Sequence, residues 1–213
     1  MNLKLRLVGL HGFRGCGKDT ISEHLVQTYS NCKRISFGDM LRDELSQVFD
    51  IEYSALFDRS KDYEYSQVTW AYFNERIRKL YGRSYGKEFL TYRQLMQIYG
   101  TDYRRYEDQN YWLNKWRDEV NRTPEDMCII APDVRFANEA EPFMEHGLLI
   151  RINDALPREA PPHPSDMLLP MRHNDVDGKG IQDVHTMCMQ AVEACRVQEF
   201  VKNDKIKELV LHA

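Results

Sequence analysis

The sequence predicts an α/β fold: a parallel sheet with helices on both faces, plus a helical insertion. Three observations carry that prediction. Strand and helix patterns alternate along the chain, the strand patterns are short and apolar, and a glycine-rich stretch joins the first strand pattern to the first helix pattern.

"LKLRLVGL" alternates and then turns wholly apolar, which reads as the first strand. "CKRISF" (32–37), "MCIIAP" (127–132) and "GLLIRI" (147–152) read as three more. Helical periodicity covers about 18–30, 39–49, 66–81, 91–100, 109–121, 135–146 and 181–200. Between about 50 and 90 the chain is dense in Tyr, Phe and charge, carries no strand signal and reads as a helical insertion. "DALPREAPPHPSDMLLP", rich in proline, reads as a surface loop, with about 155–172 a candidate lid. The chain of 213 residues is long enough to bury a substantial core, so 1–213 is expected to form a single domain with that insertion.

Composition excludes several classes. Lys and Arg total 29 against 33 for Asp and Glu, a net charge of −4 that gives no broad reason to bind a nucleic acid polymer. Five scattered cysteines without a C-x-x-C pair argue against a disulfide framework or structural zinc and for a reduced, cytoplasmic setting. No apolar run reaches the roughly 20 residues that span a bilayer, so no membrane role is expected. The aromatic-rich insertion is a candidate contact surface for a homodimer; the plainer alternative is that it covers the sheet.

The stretch "GLHGFRGCGKDT" (9–20) carries the chemistry. Gly12-x-x-x-x-Gly17-Lys18 follows a strand and opens a helix, the context a phosphate-binding loop requires. Its glycines let backbone N–H groups converge on an anion, and the helix adds its positive N-terminal dipole. The candidate ATP-binding residues are Gly12, Phe13, Arg14, Gly15, Cys16, Gly17, Lys18, Asp19 and Thr20, with Lys18 reaching the β- and γ-phosphates. Where such loops usually place Ser or Thr on Mg²⁺, this chain has Asp19 and then Thr20, so Asp19, Thr20 or a water can serve as the metal ligand. "GKDT" is thereby similar to the G-K-G-T of adenylate kinases. Cys16 reads as a small loop residue, with no His beside it in sequence to act as a base.

In "TYRQLMQIYGTDYRR" (91–105), Arg93 and Gln97 share one helix face with Gly100, while Leu95, Ile98 and Tyr99 form the apolar face. The helix is expected to end at Gly100 in a left-handed cap, followed by Thr101, Asp102, Arg104 and Arg105. By themselves these arginines read as a solvated face. In "MCIIAPDVRFANEAE" an apolar strand ends at Asp133, where α/β sheets bind ligands. Asp133 is either a metal or substrate contact or the N-cap of the next helix. Arg135 in a first turn opposes the helix dipole, which an anion partner explains; Glu139 at i+4 supplies a plain ion pair instead.

"GFRGCGKDT", "TYRQLMQIYGTDYRR" followed by "YW", and "PDVRFANEAE" followed by "GLLIRI" together resemble, in order and spacing, the deoxynucleoside monophosphate kinases of bacteriophages. "SFGDMLRDEL" is similar to the family's helix start after the second strand, and "HPSD" to its His-x-Ser-Glu. The resemblance covers most of the chain outside 50–90 and implies a three-layer P-loop kinase fold. It implies transfer of the γ-phosphoryl of ATP, with Mg²⁺, to a deoxynucleoside 5′-monophosphate, giving the diphosphate that feeds dNTP supply. It implies that Arg42, Arg93, Gln97 and Arg105 bind the acceptor, and that Asp133 and Arg135 stand between acceptor and donor, with Lys18, Arg135 and Asp133 catalytic. Trp112 matches a family tryptophan, although a large aromatic on an amphipathic helix reads as core.

Such a reaction needs no general base, because the acceptor phosphate is already ionised; it needs in-line positioning and charge neutralisation. Excluding water calls for closure, either by the 155–172 loop with Arg158 and Arg172 or by the insertion. Phosphomevalonate kinase shares the "SGKD" type of loop and an Asp-Thr-Arg motif, and dephospho-coenzyme A kinase is a more distant relative in the fold. From another class, an ATP-binding switch or assembly protein would use the loop without an acceptor.

Overall fold

The computed structural model describes residues 6–13, 15–83, 86–152 and 174–176. Along the chain run β1 (Leu7–His11), α1 (Lys18–Thr28), β2 (Cys32–Arg34), α2 (Phe37–Phe49), α3 (Tyr53–Phe57), β3 (Tyr65–Thr69), α4 (Glu75–Leu80), β4 (Phe89–Thr91) and α5 (Tyr92–Gln97). Then follow α6 (Arg105–Glu107), α7 (Tyr111–Arg122), β5 (Cys128–Ala131), α8 (Ala137–His146), β6 (Gly147–Ile152) and β7 (Asn174–Val176). A π-helical stretch, Ile98–Arg104, joins α5 to α6. The chain divides into two compact units, Met1–Ser36 with Asp118–Ala213, and Phe37–Arg117.

The first unit holds a sheet in the order β2-β5-β1-β6-β7, every pair parallel. β1 and β5 are buried along their whole length, which is why their sequences are unbroken apolar runs. Ile21 and Leu25 of α1 pack on Val8, Leu10, Ile130, Ile150 and Ile152, each fully buried aliphatic side chain contributing about 2 kcal/mol. Cys32 stands opposite Cys128 in the ladder, and both are free thiols, as is Cys16. Because the strands are parallel, all their carboxyl ends lie at one edge, and the loops after β1, β2 and β5 gather there.

The second unit corrects part of the expected helical insertion. Helix and 3₁₀ turns are present, but β3 and β4 form an antiparallel ribbon, Tyr65 opposite Thr91 and Thr69 opposite Phe89. The helix expected over 66–81 is therefore a strand and a 3₁₀ turn before α4 begins at Glu75. The reason is a short period-2 pattern: Ser66 and Val68 are buried, with Tyr65 and Gln67 exposed between them. The helix expected to stop at Gly100 instead continues through the π turn to Glu107. Gly100 has no left-handed φ. A Cβ there would lie 3.0 Å from Leu41 Cδ2, a tight contact with the end of a flexible side chain. The widened turn presents the Gly100 carbonyl to the indole N–H of Trp112 at 2.8 Å, and Trp112 is buried core. Leu95, Ile98 and Tyr99 are buried as expected of an apolar face.

One side chain organises this unit. Glu44 of α2 is 7% exposed, and both of its oxygens are fully engaged. Oε1 accepts from Tyr99 at 2.8 Å and Arg104 Nε at 2.7 Å; Oε2 accepts from Tyr111 at 2.6 Å and Lys115 at 2.5 Å. Burial alone would raise this carboxyl, but the bonds from Lys115, Tyr111 and Tyr99 outweigh it and hold the pKa at about 2. Arg104 also lies over the rings of Tyr99, Tyr103 and Tyr111 at 5.2, 5.4 and 4.9 Å.

A folded-state pKa below the unfolded value means that this stabilisation is complete above the ordinary glutamate range, near 4.3, and is lost as pH falls toward about 2. Glu44→Gln is expected to cost about 1–3 kcal/mol at pH 7, since Arg104 and Lys115 lose a carboxylate but keep partial solvent access. Denaturant midpoints followed from pH 6 to 2.5 check both points: wild type should fall more steeply below pH 4.5 than the variant. Parallel curves would show that Glu44 is not the titrating group.

Candidate active site

β1 ends at His11 and α1 begins at Lys18, so the glycine-rich stretch occupies the predicted position between strand and helix. Gly12 has a φ of 144°, and a Cβ on it would lie 2.4 Å from the Ile152 carbonyl oxygen of β6. Gly17, the N-cap of α1, has a φ of 95°. The loop can thus be made only with glycine at its hinges. Lys18 Nζ donates to the carbonyls of Gly12 at 2.8 Å and Phe13 at 2.7 Å, and lies 3.4 Å from Cys16 Sγ. The ammonium is folded back over its own loop.

Burial lowers the Lys18 pKa; the charge of Arg135 pushes the same way, and Cys16 opposes it. Two cations therefore share one field at the carboxyl edge of the sheet, an arrangement that a bound anion relieves. Asp19 begins α1 with its carboxylate 4.0 Å from Arg34 Nη2, and its backbone carbonyl accepts from Ser22 Oγ at 2.8 Å. Thr20 is exposed on the same first turn. Among the described residues no three His, Cys, Asp or Glu side chains cluster as a metal site. Arg14 lies outside the described residues.

Asp133 follows β5, and its Oδ2 accepts a 2.6 Å bond from Ser36 Oγ at the end of β2. It is not the cap of α8: that helix begins at Ala137 with Phe136 as N-cap. The expected start at 135 is therefore two residues early, and Arg135 precedes the first turn. The turn is closed by Glu139, whose Oε2 accepts the backbone N–H of Arg135 at 2.8 Å and of Phe136 at 3.1 Å. Arg135 is exposed while Glu139 is 2% exposed.

Of the predicted acceptor residues, Arg42, Arg93, Gln97 and Arg105 lie in the second unit, and Asp133 and Arg135 in the first. Arg42 Nη1 donates to Asp39 Oδ1 at 2.8 Å, one helical turn earlier, and its Nε to the Leu56 carbonyl at 3.3 Å. Arg93 Nη1 is 4.0 Å from Asp62 Oδ2, and its backbone N–H donates to the Asp62 carbonyl. Thr91 caps α5 with a reciprocal bond to Gln94, which fixes where Arg93 and Gln97 leave the helix. Arg105 donates to the Gln109 carbonyl at 3.1 Å, on the exposed side, while its neighbour Arg104 turns to Glu44. The predicted lid residues Arg158 and Arg172, the 155–172 loop and the helix over 181–200 lie outside the described residues.

Sequence reasoning missed Ser36, Asp39, Glu44, Asp62 and Arg104. Asp39 was findable from its i, i+3 spacing to Arg42. So was Glu44, which shares an apolar face with Leu41 and Leu45. Ser36 and Asp62 pair with residues distant in sequence and leave no local mark.

No protein-family model matches the chain. Two curated proteins are similar to it. One is the deoxynucleoside-5′-monophosphate kinase of Escherichia phage T5, 27% identical over 183 residues, a match covering 65% of this chain and 72% of that protein. The other is a protein of Acanthamoeba polyphaga mimivirus named as a deoxynucleotide monophosphate kinase, 26% identical over 204 residues and covering 88% of this chain and 96% of its own. The chain is thus similar over most of its length to two viral proteins that carry one kinase name.

Proposed function

We propose that the chain is a kinase that transfers the γ-phosphoryl of ATP to the 5′-phosphate of a deoxynucleoside monophosphate. The observation that carries this reading is Lys18, presented by a glycine-hinged loop at the carboxyl end of β1 and electrostatically coupled to Arg135. The names of the two viral relatives support the acceptor class. Chain 1–213 is then one kinase domain in which the second unit carries the acceptor groups.

When bound with Mg²⁺, ATP supplies the transferable phosphoryl group and much of the charge neutralisation. The loop N–H groups and the first turn of α1 hold the phosphates, and Lys18 exchanges the carbonyls of Gly12 and Phe13 for phosphate oxygens. Arg135 adds positive charge where the transferred group gains negative charge. Asp133, oriented by Ser36, fixes the metal's water shell or the acceptor. Arg42, Arg93, Gln97 and Arg105 orient the acceptor nucleotide, whose ionised phosphate attacks without a protein base.

A coupled assay of ADP release from ATP and Mg²⁺ tests this, with dAMP, dGMP, dCMP, dTMP or no acceptor. Release only with deoxynucleotides is expected; equal release without acceptor would make the chain an ATPase. Lys18→Ala should lower turnover by about 10³-fold with an unchanged circular dichroism spectrum. Arg93→Ala should raise the acceptor KM about tenfold and leave the ATP KM unchanged. An unchanged acceptor KM would leave Arg93 as the partner of Asp62 alone.

A further inference from the structure

Beside Arg42 the second unit opens a cavity of about 650 Å³, lined by Tyr53, Ser54, Phe57 and Asp58 of α3 and its C-terminal end. It is a broad groove, open to solvent along most of its length, whose volume could seat one face of a small ring system. Phe57 is 50% exposed and forms one wall of it. Its ring is covered on one side by the Arg42 guanidinium, 5.2 Å from the centroid. Arg42 is itself tied to Asp39 and the Leu56 carbonyl, and Tyr53 donates to the same Asp39 oxygen at 3.3 Å. The ring is therefore held in place by a braced cation.

Asp58 supplies the polar wall. Its Oδ1 accepts both donors of Ser60, the backbone N–H at 2.9 Å and the hydroxyl at 2.7 Å. These bonds set the carboxylate's orientation and keep it ionised. Oδ2 accepts no bond among the described residues. The cavity thus offers a flat ring for stacking and, beside it, a fixed group that only accepts hydrogen bonds.

We infer that this cavity takes the base of the acceptor nucleotide and that Asp58 selects bases carrying an exocyclic amine over thymine. The inference rests on the proposed function, since it takes the acceptor to be a nucleotide whose phosphate lies near Arg42. Guanine, adenine and cytosine each present amine N–H groups on the pairing edge. Thymine presents one N–H flanked by two carbonyl oxygens, and an ionised carboxylate repels both. Phe57 contributes to every base alike, because each has a stacking face.

The full-length chain is tested by acceptor kcat/KM at saturating ATP and by calorimetric binding of each deoxynucleotide without ATP, for wild type, Asp58→Asn and Phe57→Ala. Both positions are exposed, so the variants should fold as wild type does. Wild type should favour dGMP, dAMP and dCMP over dTMP by about tenfold or more. Asp58→Asn, whose amide can also donate, should reduce or reverse that ratio. Phe57→Ala should weaken all four and keep their order. Phosphorylation of all four with a ranking that Asp58→Asn does not change overturns the inference and leaves the kinase reading standing. Ranked binding without phosphorylation upholds the base site and overturns the reaction. Absence of both binding and phosphorylation overturns the two together.

Discussion

The carbonyl of Ile152 leaves no room for a side chain at residue 12, and the loop of the candidate donor site depends on that constraint. A glycine at this point lets the chain leave β1 with a φ of 144°, pass through the loop and enter α1 at Lys18. The carbonyls that the turn exposes hold the lysine ammonium, and the sheet that imposes the constraint also sets Asp133 and Arg135 at the same edge. One close backbone approach between β1 and β6 therefore fixes both the shape of the loop and its most important cation.

Arginines and lysines at this molecule's candidate sites are matched to oxygen partners. Lys18 has the Gly12 and Phe13 carbonyls, Arg42 has Asp39, Arg93 has Asp62, and Arg104 has Glu44. A chain with a net charge of −4 can in this way concentrate cations without a basic surface. The pairings differ in kind. Glu44 and Asp62 are both buried, beside an Arg104 and an Arg93 that each keep about a quarter of their surface, whereas the Arg42–Asp39 pair is partly exposed on both sides. The two buried carboxylates are costly to leave without their arginines; the Arg42–Asp39 pair gives up less on exchange.

What the sequence disclosed and what it hid follow the same physics. β6 matches its expected span, Gly147–Ile152, and β5 and α2 lie within two residues of theirs, because strands buried on both faces give unbroken apolar runs and a two-sided helix gives a regular period. The glycine-hinged turn between β1 and α1 was legible because strand, glycines, lysine and helix follow one another in that order. The ribbon was missed because five alternating residues and three more, set among aromatic side chains, look like part of a helical period. The π turn was missed because it leaves no periodic mark in the sequence, and the Trp112 indole that bonds the Gly100 carbonyl lies twelve residues on. The pairing of Arg104 with Glu44 was hidden for a related reason: adjacent residues point about 100° apart on a helix, and only the position of Glu44 decides that Arg104 turns inward while Arg105 does not.

The pre-existing partners also bear on selectivity. An anion arriving at Arg42 competes with Asp39, and one arriving at Lys18 replaces two neutral carbonyls. A singly charged carboxylate offers Arg42 nothing that Asp39 does not already provide. A doubly charged phosphate offers more charge and three oxygens, so it gains where a monoanion does not. At Lys18 the exchange keeps the number of hydrogen bonds and adds an opposite charge to an ammonium whose pKa burial and Arg135 have lowered. Under the proposed function, a polyphosphate bound there would offset the like-charge repulsion between Lys18 and Arg135. Under the proposed function, these internal carbonyl and carboxylate partners would favour phosphates over weaker anions.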